Sequence, residues 1–261
     1  MTIRNRSCLV GAAALLLLSA DAVGAKEVKV MSSGGLTAAF QAVLPDCEKA
    51  TGDTVELVLG PSMGTSPEAI PSRLSHGESA DVVLMVGSAL GDLVSKGAVD
   101  PASRVDVANS KIGVAVKAGA PKPDISTVEA LKRTLLAAKS IAYSDSASGV
   151  YIEREMYKKL GLEDALKPKS RMIVAERVGN VVARGEAELG FQQVAELLPV
   201  QGITYMGTIP DEVQSVTTFS AGIPANAKDK EAGKALIACF TSAQERPALV
   251  KSGLEPIVRS P

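Results

Sequence analysis

Three short segments rich in serine and glycine stand where chemistry is easiest to build: Met31-Ser32-Ser33-Gly34-Gly35-Leu36-Thr37, Gly60-Pro61-Ser62-Met63-Gly64-Thr65-Ser66 and Ser144-Asp145-Ser146-Ala147-Ser148-Gly149. Each follows a β-rich apolar run and opens a helical pattern. Such a loop turns hydroxyls and the unpaired N–H groups of a helix start toward one point, which suits an anion. Serine and glycine are also ordinary N-caps, so one loop alone says little. Three at equivalent places exceed what capping needs. None matches the G-x-x-x-x-G-K-[ST] phosphate loop, so nucleotide hydrolysis is not indicated.

The elements that must position these loops alternate along the chain. Val28–Met31 reads as a strand, Leu36–Ala50 as a helix closed by Gly52, and Thr54–Leu59 as a second strand. A helix opened by Ser66-Pro67-Glu68 runs to Gly77, a strand covers Asp81–Val86, and a helix covers Ser88–Lys96. A strand over Lys111–Val116 and a proline-rich break precede a helix opened by the capping box Ser126-x-x-Glu129. The rhythm then restarts: strand Ser140–Tyr143, helix Val150–Leu160, strand Met172–Ala175, short helix Val178–Arg184 and strand Leu189–Gln192. A strand over Val216–Ile223 and helices over Lys228–Thr241 and Gln244–Lys251 return to the first block. Alternation of this kind predicts parallel strands with helices on both faces. The expected fold is α/β with two Rossmann-like lobes joined by crossover strands, the clamshell of periplasmic solute-binding proteins. One lobe takes 26–112 plus 218–261 and the other 113–217. In such sheets a ligand lies at the carboxyl ends of strands.

Composition narrows the partners. The 261 residues are 46% hydrophobic and 22% charged, ordinary for a packed domain and unlike a basic nucleic-acid arm. Aromatics are 3% with no Trp, which argues against sugar-stacking and base-stacking surfaces. Arg4 and Arg6 followed by the apolar run Cys8–Leu18 read as a secretory signal peptide, residues 1–22, cleaved after Ala22 or, second choice, after Ala25. Losing Arg4, Arg6 and Asp21 moves the formal charge only from -1 to -2. The expected mature protein is periplasmic, with no nucleic-acid partner and no membrane insertion. Cys47 and Cys239 remain and could pair in an oxidising compartment, but each sits inside a helical pattern among small and apolar neighbours, which favours free buried thiols. His76 is the sole histidine, so no zinc ligand set is expected, and its place at a helix C-terminus explains it without catalysis.

The Ser/Gly loop after the first strand, the serine-bearing loop after the second, Ala80-Asp81 opening the third, and Ser148-Gly149-Val150-Tyr151 opening a helix together resemble the molybdate-binding (ModA) family of solute-binding proteins. The resemblance runs through nearly the whole chain after the leader. It implies a tetrahedral oxyanion held by hydroxyls and backbone amides without a protein cation, with Ser33 or Gly35, Ser62, Ser148 and Val178 in contact. The chain departs from the pattern at informative places. Gly34-Gly35 stand where that family carries Ser-Ser, Gln193 stands where a tyrosine closes the site, and Arg177 stands where an aspartate is expected. The loop Gly60–Ser72 is also longer. A roomier site with an arginine suits a carboxylate, which a guanidinium fork grips bidentately. The expected substrate-binding set is Ser33, Gly34, Gly35, Ser62, Thr65, Ser148, Gly149, Arg177, Val178 and Gln193.

Within that family the chain is similar to a branch that works as an isomerase, moving a C=C bond in a tricarboxylate by an allylic proton shift. That resemblance implies a small anionic substrate, no metal and no organic cofactor. The residues do not name the base; Tyr151 is a weak candidate, while Glu68 and Glu153 read as helix N-terminal charges. The other reading is a receptor delivering a molybdate-like oxyanion or a tricarboxylate to an ABC permease, and fold alone does not choose.

Overall fold

The computed structural model describes residues 25–174 and 176–258. The leader over residues 1–22 lies outside them, and among the described residues no helix is long and apolar enough to cross a membrane. The chain lays down β1 (Glu27–Ser32), α1 (Gly34–Thr51), β2 (Thr54–Leu59), α2 (Ile70–Ser75), β3 (Val82–Val86), α3 (Gly87–Ser95) and β4 (Val105–Ser110). It crosses at Lys111 into β5 (Ile112–Lys117), α4 (Val128–Ala137), β6 (Ile141–Ser144) and α5 (Ala147–Tyr151). A π-helical turn (Ile152–Met156) leads to α6 (Tyr157–Leu160), α7 (Glu163–Leu166), β7 (Ser170–Ile173), α8 (Val178–Ala183), β8 (Leu189–Gln193), α9 (Val194–Leu197) and β9 (Ile203–Thr208). The return passage carries β10 (Thr217–Gly222), α10 (Lys230–Phe240), α11 (Arg246–Lys251) and β11 (Glu255–Pro256).

Two sheets result, ordered β11-β4-β10-β3-β1-β2 and β7-β6-β8-β5-β9. The α/β alternation holds, but the sheets are mixed rather than wholly parallel. β1, β2 and β3 run parallel, as do β6, β7 and β8. β10 pairs antiparallel with β3 and β4, and β5 antiparallel with β8 and β9. The strands next to a crossover reverse because the chain enters each sheet from the other one and needs no helical return. Buried Val30, Met31, Leu36, Phe40, Val83, Leu84 and Phe240 fill one core; Ile112, Val114, Leu131, Ile152, Tyr157 and Phe191 fill the other.

Local chemistry sets the element ends. α1 stops at Gly52, whose left-handed backbone (φ 79°) lets its N–H reach the Glu48 carbonyl. α4 is capped by Thr127, which accepts the Ala130 N–H, and not by Ser126. α2 is shorter than the pattern predicts because the segment before it folds back on β2: the Ile70 N–H donates to the Pro61 carbonyl. Asp81 is buried at the start of β3, where its carboxylate accepts the N–H groups of Lys29, Lys228 and Asp229 and ties the return passage to the first sheet.

The expectation of free thiols is overturned. Cys47 and Cys239 form a disulfide with Cα atoms 5.7 Å apart. α1 and α10 lie side by side, with Phe40 and Phe240 meeting edge to face at 5.2 Å, and this packing brings the two sulfurs together. Small apolar neighbours therefore marked a helix–helix contact, not isolated thiols.

Candidate functional site

The carboxyl ends of β1, β2, β3, β6 and β8 converge on a cleft of about 360 Å³ between the two sheets, within the size range of small-molecule sites. A larger hollow of about 640 Å³ beside α4 is lined by Val116, Ala120, Pro121, Ala130 and Leu189. It is mostly apolar, and none of the three Ser/Gly loops opens on it.

The cleft is built from helix starts. Ser33 precedes α1 in an extended conformation and its side chain caps nothing, and Gly34 and Gly35, in the uncapped first turn, line the cleft. No acidic residue stands in the first turn of α1 to compete with an anion there. The Ser62 hydroxyl accepts the Val86 N–H at 2.9 Å and keeps its own proton to donate. Ser144 gathers the hydroxyls of Ser146 and Ser148, each at 3.0 Å. Two buried side-chain atoms on this cleft have no hydrogen-bond partner, Ser33 Oγ and Gln193 Oε1. A buried polar atom without a partner is costly, and both of these belong to residues that line the cleft.

Arg177 is the one cation among the lining residues and forms no ion pair with any described residue. It stands among acidic neighbours: Glu68, Asp145, Glu176 and Glu196 line the same cleft. Glu176 is engaged by Arg184. Glu196 is different from the rest, being buried at 9% exposure. Burial pushes its carboxyl up to about 7, with the Arg177 charge and the Gln192 amide pulling the other way and the Asp145 charge adding to the rise.

Of the residues expected from sequence, Ser33, Gly34, Gly35, Ser62, Arg177 and Gln193 line the cleft together. The remainder do not. Thr65 is exposed outside it. Ser148 sits one step behind Ser144, reaching the cleft only through that hydroxyl. Gly149 serves packing: a Cβ there would strike the Ser144 carbonyl, so only glycine lets α5 lie this close to β6. Val178 is fully buried, and its N–H is already given to Gln192 Oε1 at 2.9 Å. Tyr151 faces away, donating its hydroxyl to the Val213 carbonyl at 2.9 Å with Lys159 stacked on its ring, which removes it as the candidate base. Tyr143 is no substitute, since burial pushes its hydroxyl up to about 12.

Sequence reasoning missed Glu196 and Asp145. Asp145 lies in the loop Ser144–Gly149, where serines and glycine carry the anion-binding signal and a carboxylate does not. Glu196 sits in the run Val194-Ala195-Glu196-Leu197-Leu198, and a lone carboxylate in an apolar run was the available signal. α9 leaves the second sheet but packs on α1, with Ala195 embedded in the first lobe's core, so Glu196 bridges the seam. A Cβ on Gly34 would collide with Glu196 Oε1, and one on Gly35 with the Phe219 ring. Glycine at both positions leaves room for the Glu196 carboxyl and the Phe219 ring where they stand.

Comparison with known proteins agrees with this geometry. Residues 28–255 match the model for "bacterial extracellular solute-binding protein". An aconitate isomerase from Pseudomonas sp is 49% identical over 251 residues, covering 95% of this chain and 96% of that protein. Among solved structures, the periplasmic molybdate-binding protein of Azotobacter vinelandii superposes with a TM-score of 0.70 at 20% identity, over 89% of this chain and 100% of that one. The sulfate-binding protein SubI of Mycobacterium tuberculosis H37Rv gives 0.70 at 16%, over 89% and 87%. Both likenesses lie in the fold: two α/β lobes around a cleft.

Proposed function

The chain belongs to the family of bacterial extracellular solute-binding proteins, and we infer that it works there as an aconitate isomerase, interconverting trans- and cis-aconitate in the inter-lobe cleft. The observation that carries this reading is the 49% identity to an aconitate isomerase across nearly the full length of both chains. The cleft supports it: Arg177, with no ion pair to any described residue, and the uncapped N–H groups at the start of α1 suit a carboxylate, and Gln193 adds a side-chain amide to the lining.

The substrate is a tricarboxylate, and its charge is met by dipoles more than by cations. One carboxylate takes the Gly34 and Gly35 N–H groups with the Ser33 and Ser62 hydroxyls, and another takes the Arg177 fork. The reaction removes a proton from a methylene beside a carboxylate, shifts the double bond by one carbon and returns a proton at the far end. Charge that builds on the carboxylates in the intermediate dienolate is stabilised by donors already in place, an effect worth about 10²–10³-fold per donor in comparable sites. The leader over residues 1–22 exports the chain, and the Cys47–Cys239 disulfide suits an oxidising periplasm.

The test is direct. Purified protein without its leader is incubated with trans-aconitate and the cis isomer followed by chromatography. Conversion to a fixed isomer ratio supports the enzyme; tight binding with no isomer formed would make the chain a tricarboxylate receptor of the same family.

A further inference from the structure

The isomerase reading leaves the proton unassigned, and the inference that follows rests on that reading. We propose that Glu196 is the proton carrier of the reaction, taking the proton from the substrate methylene and returning it to the other end of the allylic unit. The position stands on geometry. Glu196 lines the cleft from α9, its carboxyl fills the space that a side chain on Gly34 would need, and it neighbours the start of α1, the place proposed above for a substrate carboxylate. A methylene attached to that carboxylate lies beside Glu196. No other lining side chain combines burial with a titratable proton: Glu68 and Glu176 are exposed, and Asp145 is half-buried.

The charged groups around it are consistent with the task. Arg177, ahead of α8, and Asp145, after β6, are the charges that act on it; β8 contributes the neutral Gln192, and α1 presents glycines with no acidic residue in its first turn. With burial the dominant influence, the carboxyl titrates at about 7, where a group can both accept and donate a proton. One carboxyl is enough. The methylene C–H bond breaks, its electron pair enters the allylic system and the proton passes to a Glu196 oxygen. The double bond then lies one carbon over, and the Glu196 O–H gives its proton to the former alkene carbon. One C–H bond is lost and one gained, no electrons are exchanged with another molecule, and Glu196 ends as the carboxylate it began. The two carbons are one atom apart on one face, so the two oxygens of a single carboxyl can serve both.

The experiment compares wild type, Glu196→Gln and Glu196→Asp by steady-state kinetics across pH, with aconitate binding measured separately by calorimetry. The wild type is expected to form cis-aconitate with kcat/KM rising through about pH 7. Glu196→Gln is expected to bind aconitate within about threefold of wild type while kcat falls by about 10²–10⁴-fold and the rising limb disappears. Glu196→Asp keeps a limb at a displaced pH with lower kcat. A Gln variant that folds and turns over within threefold of wild type overturns the assignment, as does a wild-type profile flat between pH 6 and 8. If the Gln variant does not fold, the Asp variant decides: an unshifted limb removes Glu196. A wild type that forms no isomer overturns the isomerase reading and this assignment with it.

Discussion

The Ser62 hydroxyl accepts the Val86 N–H at 2.9 Å across the gap between the β2 loop and the end of β3. Ser33, on the same cleft, has a buried hydroxyl with no hydrogen-bond partner among the described residues. The two serines therefore share a cleft but differ in what they do for the fold. Ser62→Ala leaves the Val86 N–H buried without an acceptor and is expected to cost about 1–3 kcal/mol of stability along with activity. Ser33→Ala is expected to cost activity with little or no loss of stability. Paired denaturant melts and kinetics on the two variants read the difference; equal destabilisation would mean that Ser33 has a partner in solution.

Arg177 makes no ion pair with any described residue, so Arg177→Ala should leave folding almost unchanged while raising KM for aconitate. Arg177→Lys should restore binding only in part, because an ammonium cannot make the two parallel bonds of a guanidinium fork. The alanine variant carries a second signature. Arg177 holds the Glu196 carboxyl below the value that burial alone would set, so its removal moves the rising limb of kcat/KM to higher pH. Wild-type KM and an unmoved limb would return Arg177 to an ordinary surface charge.

The Glu196 carboxyl also makes stability depend on pH, in the direction opposite to most carboxylates. Its value in the folded chain, about 7, lies above its ordinary 4.5, so the folded state holds this proton more tightly than the unfolded one. The resulting stability is fully present below about pH 4.5 and is lost as pH rises through about 7. Glu196→Gln lacks that loss. Its melting temperature relative to wild type is expected to climb between pH 5 and pH 8, with an upper bound of ~3 kcal/mol at the alkaline end. A difference independent of pH would show that Glu196 ionises in the folded chain as readily as in the unfolded one.

How much of this was readable in the sequence follows a physical line. The Ser/Gly loops were legible because each lies between a strand and a helix that are neighbours in the chain, so local pattern places their N–H groups and hydroxyls. Gly34-Gly35 was visible as a departure, yet its cause was not, because Glu196 meets Gly34 only when α9 leaves its own sheet and packs across the seam. The Cys47–Cys239 bond was hidden for the same reason: helix–helix contact at long range leaves no mark in local spacing. Tyr151 looked useful because helix starts at strand ends so often carry function, but its rotation about the α5 axis sends the hydroxyl to Val213. β4 and β9 went unread, the first being half polar and the second only half-buried.

The disulfide ties positions 192 residues apart, and in the chain-entropy model such a closed loop is worth roughly 5 kcal/mol. Cys47 lies near the C-terminal end of α1, away from Gly34 and the cleft. The double variant Cys47→Ala with Cys239→Ala is accordingly expected to melt well below wild type while keeping its KM and kcat at temperatures where it is folded. Altered KM in the folded variant would show instead that the bond sets the tilt of α1 and with it the anion site.

Heavy water separates a single shielded proton carrier from every alternative. An allylic proton shift breaks one carbon–hydrogen bond and forms another, so on that route the origin of the new hydrogen reports who carried it. Glu196 is 9% exposed, so a proton it has just taken is expected to be partly protected from exchange before it is returned. At early conversion of trans-aconitate, the cis product is expected to contain deuterium in less than one position per molecule, with the rest carrying the hydrogen the substrate brought. Two separate groups, one removing and one supplying, would instead place close to one deuterium in every product molecule. Weakening the donors with Ser62→Ala should slow conversion without changing the deuterium content, since charge stabilisation acts on the barrier and not on the path of the proton. Tight binding of trans-aconitate, recovered unlabelled with no cis isomer at all, would establish a receptor.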